Sequence, residues 1–169
     1  TLQSATQSIV VVMYQFSLPV TPVVHPSPGT RPISPYTVLQ DLIEAYERGL
    51  AVHVLLDYSY RRHSGDSAAL RNPGNSKAYE FLKRAGINVS RGPPGKLIHN
   101  KVVIVDDQIV IHGSANWSAY AFARNSESST RIESVSLAAS MLGGLKDLET
   151  DSGKTFGATF ARARPAMET

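Results

Sequence analysis

Residues 99–116 contain an imidazole, an ammonium, a hydroxyl and a carboxamide at fixed spacing. The stretch reads HNKVVIVDDQIVIHGSAN and fits the pattern HxKxxxxDxxxxxxGSxN at every fixed position. A lysine supplies a fixed positive charge, and serine and asparagine donate hydrogen bonds, so this set suits the charge that develops in a phosphoryl transition state. A neutral histidine can attack phosphorus. The stretch therefore predicts phosphodiester chemistry at four residues, namely His99, Lys101, Ser114 and Asn116.

The same stretch predicts two β-strands joined by a tight turn at Asp106 and Asp107. Because side chains alternate along a strand, His99 and Lys101 share one face, and Asp106 points to the other. The returning strand brings Gly113 and the residues after it back towards His99. We therefore expect the four polar side chains to converge at one strand end, while Asp106 and Gly113 have structural roles and Asp106 braces the turn.

These residues resemble the HKD motif of the phospholipase D superfamily, and the chain is most similar to its small, single-motif nucleases. The segments SIVVVMYQFS, DLIEAYERGLAVHVLLD and SKAYEFLKRAGINV resemble the strands and helices that precede the motif in that family. Downstream, the run from Arg124 to Glu127 resembles the segment that carries a glutamate paired with the active-site histidine. The resemblance covers residues 8–135.

The resemblance implies a phosphohistidine mechanism in which His99 is the nucleophile, with Glu127 orienting it. In this superfamily an active site is built from two HKD motifs, and the chain has one. The resemblance therefore implies a homodimer with the active site on the two-fold axis. The resemblance also implies chemistry that needs no metal or other cofactor. Consistent with that, the sequence has no cysteine, no clustered carboxylates and no histidine pair at metal-ligand spacing.

Charge favours a polyanionic substrate. The whole chain carries a net charge of only +3, but residues 61–101 hold nine Lys or Arg against two acidic residues. Such a surface attracts nucleic acid through phosphate contacts and counterion release. We predict substrate-binding roles for Arg61, Arg62 and Lys96 in loops near strand ends. Trp117 is a further candidate for stacking on a base, with a core or interface position as its alternative.

Alternation of strands and helices predicts an α/β fold of the phospholipase D/nuclease-like type. The expected sheet is mixed and mostly parallel, with helices on both faces. His53 and His112 fall inside strands and are predicted to be packed. The predicted strands are 8–16, 51–58, 87–91 and 128–133 besides the hairpin, and the predicted helical segments are 36–48, 76–85, 117–123 and 135–149.

The length of 169 residues suits a single domain. We expect that domain at 1–150 and a flexible tail at 151–169. The long loops 17–35 and 59–75 are candidate walls of a substrate groove. No apolar run is long enough to span a membrane. We therefore expect a soluble chain. Because the sequence begins at Thr1, we also expect that it was trimmed or processed. An exported or periplasmic protein without its signal peptide is one open alternative for its location.

Three functions stay open at the level of sequence. The first is a metal-independent endonuclease that acts on DNA or RNA. The second keeps the chemistry but acts on a phospholipid such as cardiolipin, or makes this chain one half of a two-motif enzyme. The third is a nucleic-acid-binding module without catalysis, which the complete set of catalytic residues disfavours.

Overall fold

The computed structural model describes residues 2–19, 33–58 and 73–160, and the predicted alternation of strands and helices is present there. A tight turn at Asp106 and Asp107 joins the two strands of the hairpin, as predicted, and both residues have positive φ. The elements in chain order are β1 (Ser8–Met13), α1 (Pro35–Glu47), β2 (Ala51–Leu56), α2 (Pro73–Arg84), β3 (Asn88–Arg91), β4 (Lys101–Val105), β5 (Ile109–Gly113), α3 (Ala119–Ala123), β6 (Ser129–Glu133), α4 (Val135–Lys146) and a final 3₁₀ turn (Gly157–Phe160).

Within the described residues, six strands form one mixed sheet in the order β3-β2-β1-β4-β5-β6. The pairs β1–β2 and β2–β3 are parallel. The pairs β1–β4, β4–β5 and β5–β6 are antiparallel. The mixed sheet is confirmed, but its parallel part is smaller than expected, because β4 enters beside β1 in the opposite direction.

Alternate residues of β1 enter two separate cores. Ile9 and Val11 pack in the core formed with α1 and α2, whereas Val10 and Val12 pack in the core formed with α4. All four are at most 2% exposed. Burial of one such side chain stabilises a fold by about 1.5–3 kcal/mol. The two cores confirm that helices cover both faces of the sheet.

The first helix begins at a capping serine. The Ser34 hydroxyl accepts a hydrogen bond from the backbone N–H of Thr37, and the Thr37 side chain accepts one from Ser34 N–H. Pro35 follows at the first helical position, where a missing N–H is harmless. Gly49, with φ of 94°, lets the chain turn from α1 into β2.

Residues 151–160 pack against the sheet. Phe156 is fully buried beside α4, and the Phe160 ring stacks on His53 with ring centroids 4.0 Å apart. The expectation of a flexible tail does not hold for these ten residues, because two aromatic rings anchor a segment that has no helical or strand period. Residues 161–169 lie outside the described residues.

The two histidines predicted to be packed differ. His53 is 8% exposed, accepts a hydrogen bond at Nδ1 from the amide nitrogen of Asn88, and belongs to the α4 side of the sheet. His112 is exposed, so that prediction is wrong. It shares a face with Val110 but lies nearer the end of β5, where the packing of α4 no longer covers it.

The proposed groove loops fall mostly outside the described residues, which omit 20–32 and 59–72. Two further histidines of the sequence, His25 and His63, also lie in these ranges, outside the described residues. None of the described helices combines the length and apolar character needed to cross a membrane.

Candidate active site

His99 and Lys101 lie at the start of β4, at the edge of the sheet where β1, β2 and β3 end. Lys101 pairs with Met13, the last residue of β1. The backbone N–H of Ile98, one residue before His99, donates a 2.8 Å hydrogen bond to a carboxylate oxygen of Asp57. Asp57 is completely buried just beyond the end of β2. A buried acceptor just beyond the end of β2, two strands from β4, therefore fixes the approach of the chain to His99.

The side chains of His99 and Lys101 lie beside each other. Lys101 Nζ is 3.4 Å from His99 Nε2 and 3.1 Å from the carbonyl oxygen of His99. Since an ammonium can only donate, Nε2 is the acceptor in this contact. His99 itself is exposed. The arrangement places an exposed imidazole next to a positive charge.

Tyr14 was not predicted from the sequence, yet it contacts both residues. Its ring centroid is 4.6 Å from that of His99, and Lys101 Nζ is 5.0 Å from the same centroid. The backbone of Tyr14 donates to the carbonyl of Asn100 and accepts from the Asn75 side chain. The only sequence signal for this role was its position directly after β1.

Asn75 is a second residue that sequence reasoning missed. It is 4% exposed, at the beginning of α2. Its amide nitrogen donates to the carbonyls of Tyr14 and Asp57, and its oxygen accepts from Phe16 N–H. One side chain thus fastens the ends of β1 and β2 together beneath the site.

Ser114 and Glu127 are joined by a short hydrogen bond. The Ser114 hydroxyl donates to Glu127 at 2.5 Å and accepts from the backbone N–H of Ser128 at 3.1 Å. Asn125 donates to the other carboxylate oxygen at 2.9 Å. The structure thus places Ser114 as a support for Glu127, whose hydrogen bonds go to Ser114 and Asn125 rather than to His99.

Charge couples Glu127 to Lys101. Hydrogen bonds from Ser114 and Asn125 lower the pKa of Glu127, with burial opposing them and the charge of Lys101 assisting. Burial lowers the pKa of Lys101, and the Glu127 carboxylate acts in the opposite direction. An ionised glutamate therefore helps to keep the lysine charged.

Gly113 allows β5 and β6 to approach closely at the site. A Cβ atom at this position would lie 2.2 Å from the backbone oxygen of Ser128 and 2.6 Å from the Cα of Ser129. No side chain fits there. The glycine brings the Glu127 segment next to Ser114, in line with the structural role expected for it.

Asn116 is the last residue of the motif, and Trp117 follows it into the interior. Among the residues that the structure describes, nothing donates a hydrogen bond to the buried oxygen of the Asn116 side chain. Trp117 is 9% exposed and packs edge to face on Phe16 at 4.9 Å between centroids. Trp117 thus takes the core position that the sequence left open as the alternative to stacking on a base.

Asp106 lies at the opposite end of β4 from Lys101. Its carboxylate accepts hydrogen bonds from the backbone N–H groups of Thr6, Gln7 and Ser8 and from the Thr6 hydroxyl. Burial raises the pKa of Asp106, but these hydrogen bonds outweigh it and leave the pKa below its usual value. Asp106 fixes the segment before β1 and does not reach the site.

The predicted substrate-binding cations are not all observable. Lys96 lies beside Glu149, with Nζ 3.3 Å from Oε2, and both side chains are exposed. Arg61 and Arg62 lie outside the described residues. Across 2–19, 33–58 and 73–160, no group of three histidine or acidic side chains is placed to hold a metal ion.

Comparisons with known proteins agree with the fold and the motif. The family described as "Cardiolipin synthase, PLD-like domain" matches residues 1–146. Phospholipase D of Rickettsia bellii is 40% identical over 101 residues, which are 60% of this chain and 45% of that protein. Human mitochondrial cardiolipin hydrolase is 32% identical over 82 residues, which are 48% of this chain and 28% of that protein. The chain thus spans less than half the length of these curated relatives.

Among solved structures, the phospholipase D family member Nuc from Salmonella typhimurium superposes with a TM-score of 0.62 at 25% sequence identity. The superposition covers 85% of this chain and 78% of Nuc. The shared sheet, the family match and the motif at the sheet edge lead to one conclusion: this chain belongs to the phospholipase D superfamily, in the PLD-like domain family, whose members are phosphodiesterases.

Proposed function

We propose that this protein is a phosphodiesterase that cleaves nucleic acid without a metal ion, through a phosphohistidine at His99. One observation carries the proposal: an exposed imidazole whose Nε2 lies 3.4 Å from Lys101 Nζ, at the edge of the sheet. A histidine in that position can attack phosphorus, and the adjacent ammonium can bind the non-bridging oxygens. The Glu127 carboxylate, which Ser114 holds in place, supports the charge of Lys101.

The reaction proceeds in two steps. Nε2 of His99 forms a bond to phosphorus while the bond from phosphorus to the leaving oxygen breaks, and a second histidine gives its proton to that oxygen. The second histidine, now neutral, then removes a proton from water, which attacks phosphorus and breaks the N–P bond. Both products leave with the enzyme in its original state.

The second histidine is proposed to be His99 of another copy of the chain. The described residues hold one His-Lys pair of this type, at an exposed edge, and a closed two-fold dimer would place two such pairs face to face. The His99 of each copy then acts as the nucleophile for one orientation of the substrate and as the general acid for the other.

A polynucleotide is the preferred substrate because of charge. Nine cationic residues between 61 and 101 stand against two acidic ones, and the segment leads directly into the catalytic strand. A cationic surface next to the site increases the local concentration of a polyanion.

A phospholipid is the second candidate, favoured by one feature of the site. Leu97, two residues before His99, has 58% of its surface exposed, and an apolar side chain there would suit an acyl chain or a lipid surface. The relatives named phospholipase D and cardiolipin hydrolase keep this alternative open.

The test is cleavage of single-stranded and duplex DNA and RNA in excess EDTA, with mass measured in solution. His99→Ala should abolish cleavage, and His112→Ala is the matched control, because it removes an exposed imidazole from the adjacent strand. Metal-independent cleavage by a particle of twice the chain mass, lost only in His99→Ala, supports the proposal. A folded dimer that hydrolyses cardiolipin vesicles but no polynucleotide would overturn the nuclease assignment.

A further inference from the structure

A second cationic residue lies in the same row of the sheet as Lys101. The register pairs Lys101 with Met13, and Met13 in turn with Leu56. Leu56 pairs with Arg91 at the end of β3. Directly paired residues point to the same face of a sheet. With strands about 4.8 Å apart, three steps separate the Cα atoms of Arg91 and Lys101 by about 14 Å.

The guanidinium of Arg91 is held between aromatic rings. Its central carbon is 3.7 Å from the ring centroid of Tyr79 in α2 and 4.8 Å from that of Tyr58, beyond the end of β2. The Arg91 side chain is 20% exposed. Stacking restricts the planar group to one orientation, so little side-chain freedom is left to lose when a ligand binds.

Among the described residues, this guanidinium has an ion-pair partner but no hydrogen-bond acceptor. In the part of the chain that the structure describes, no acceptor lies within hydrogen-bonding distance of the Arg91 side chain, and its ion-pair partner, Glu80, is 3.8 Å away and half-exposed. A guanidinium carries five N–H donors in a planar fork that matches the oxygens of a phosphate. A fixed, partly buried cation with unused donors is suited to an anionic ligand.

We propose that Arg91 binds a second phosphate of a polynucleotide whose scissile phosphate lies at His99 and Lys101. This inference rests on the nuclease function proposed above and specifies its substrate. A distance of about 14 Å is several times the axial rise of about 3.4 Å per nucleotide, so the two groups would contact phosphates of different nucleotides. A diester with one phosphate cannot contact both groups, so Arg91 distinguishes a polymer from a small substrate.

The experiment compares two substrates in excess EDTA. One is a single-stranded oligonucleotide of about twelve nucleotides, long enough to span both groups. The other is bis(4-nitrophenyl) phosphate, which has a single phosphate. Wild type is compared with Arg91→Gln, which removes the charge, and with Arg91→Lys, which keeps the charge without the stacked plane. Arg131→Gln is the matched control. It removes an exposed arginine from β6, the outer strand on the side of the sheet opposite β3.

Arg91→Gln should raise KM for the oligonucleotide about tenfold and leave KM and kcat for the small diester unchanged. The slope of log KM against log salt should fall by about 0.7, the value for one phosphate contact to a single strand. Arg91→Lys should give a smaller rise in KM, and Arg131→Gln should match wild type.

Two results would overturn this inference and leave the proposed nuclease function standing. One is wild-type cleavage of the oligonucleotide with an unchanged KM in Arg91→Gln, and the other is an equal loss on both substrates, which would place Arg91 at the scissile phosphate. If wild type hydrolyses bis(4-nitrophenyl) phosphate but cuts neither DNA nor RNA, the nuclease function itself fails and this inference fails with it.

Discussion

Replacing the aspartate of the HKD motif should reduce stability and spare catalysis. In Asp106→Asn, one oxygen can still accept from Gln7 and Ser8, but the new amide nitrogen faces Thr6. The Thr6 hydroxyl then loses its acceptor, and the Thr6 N–H keeps only its longer contact of 3.2 Å to the remaining oxygen. Loss of such contacts to a partly exposed carboxylate should lower the free energy of unfolding by about 1–3 kcal/mol. The corresponding fall in melting temperature is roughly 3–10 °C.

The matched control is Asp107→Asn. Asp107 is exposed, has φ of 51°, and shows no hydrogen bond from its side chain among the described residues. Asparagine tolerates positive φ at both positions, so the two variants differ chiefly in the contacts that they remove. Urea unfolding should show a lower midpoint for Asp106→Asn and an unchanged midpoint for Asp107→Asn.

The pH dependence provides a second check. Because the hydrogen bonds lower the pKa of Asp106 in the folded state, its stabilising effect is present above the unfolded value of about 3.9 and is lost as the pH falls through the lower folded value. The stability gap between wild type and Asp106→Asn should therefore be constant from pH 7 to pH 5 and close below about pH 4. Equal urea midpoints at pH 7, or a stable variant that has lost cleavage, would refute a purely structural role.

Three further outcomes are expected. Glu127→Gln removes the charge that raises the pKa of Lys101, so the alkaline limb of a pH–rate profile should move to lower pH, and an unmoved limb would contradict the coupling. Gly113→Ala places a Cβ 2.2 Å from the backbone oxygen of Ser128, so urea unfolding should show a loss of about 1–3 kcal/mol. Burial, with help from the charge of Lys146, lowers the pKa of His53 to about 4 from 6.5, so the folded state loses stability between these pH values on acidification. His53→Gln should remove that part of the decline in the urea midpoint between pH 7 and pH 5.

The catalytic hairpin could be predicted because its determinants are local. The run of β-branched residues, the turn at Asp106 and Asp107, and the alternation of faces specify both strands, and this alternation correctly separated Asp106 from His99. The helices were equally predictable from the spacing of their apolar residues.

The remaining features depend on contacts between distant segments. Asp57 and Asn75 are polar residues at the ends of elements, and only the parallel pairing of β1 with β2 places them beneath His99. Trp117 could not be assigned from its residue type, since an indole suits a core and a base equally well. Phe160 was missed because it docks on His53, more than one hundred positions earlier in the chain.

The direction of β4 explains how a short motif becomes a site. Parallel strands β1 to β3 direct their carboxyl ends to one edge, and β4 runs against β1, so its first residue joins that edge. A shift of the register by one residue would turn Lys101 into the opposite core and separate it from the row that ends at Arg91. Because both faces are packed, such a shift would expose the buried side of β4. The core therefore fixes the spacing between the two cations, and a substrate that uses both must carry phosphates at that spacing.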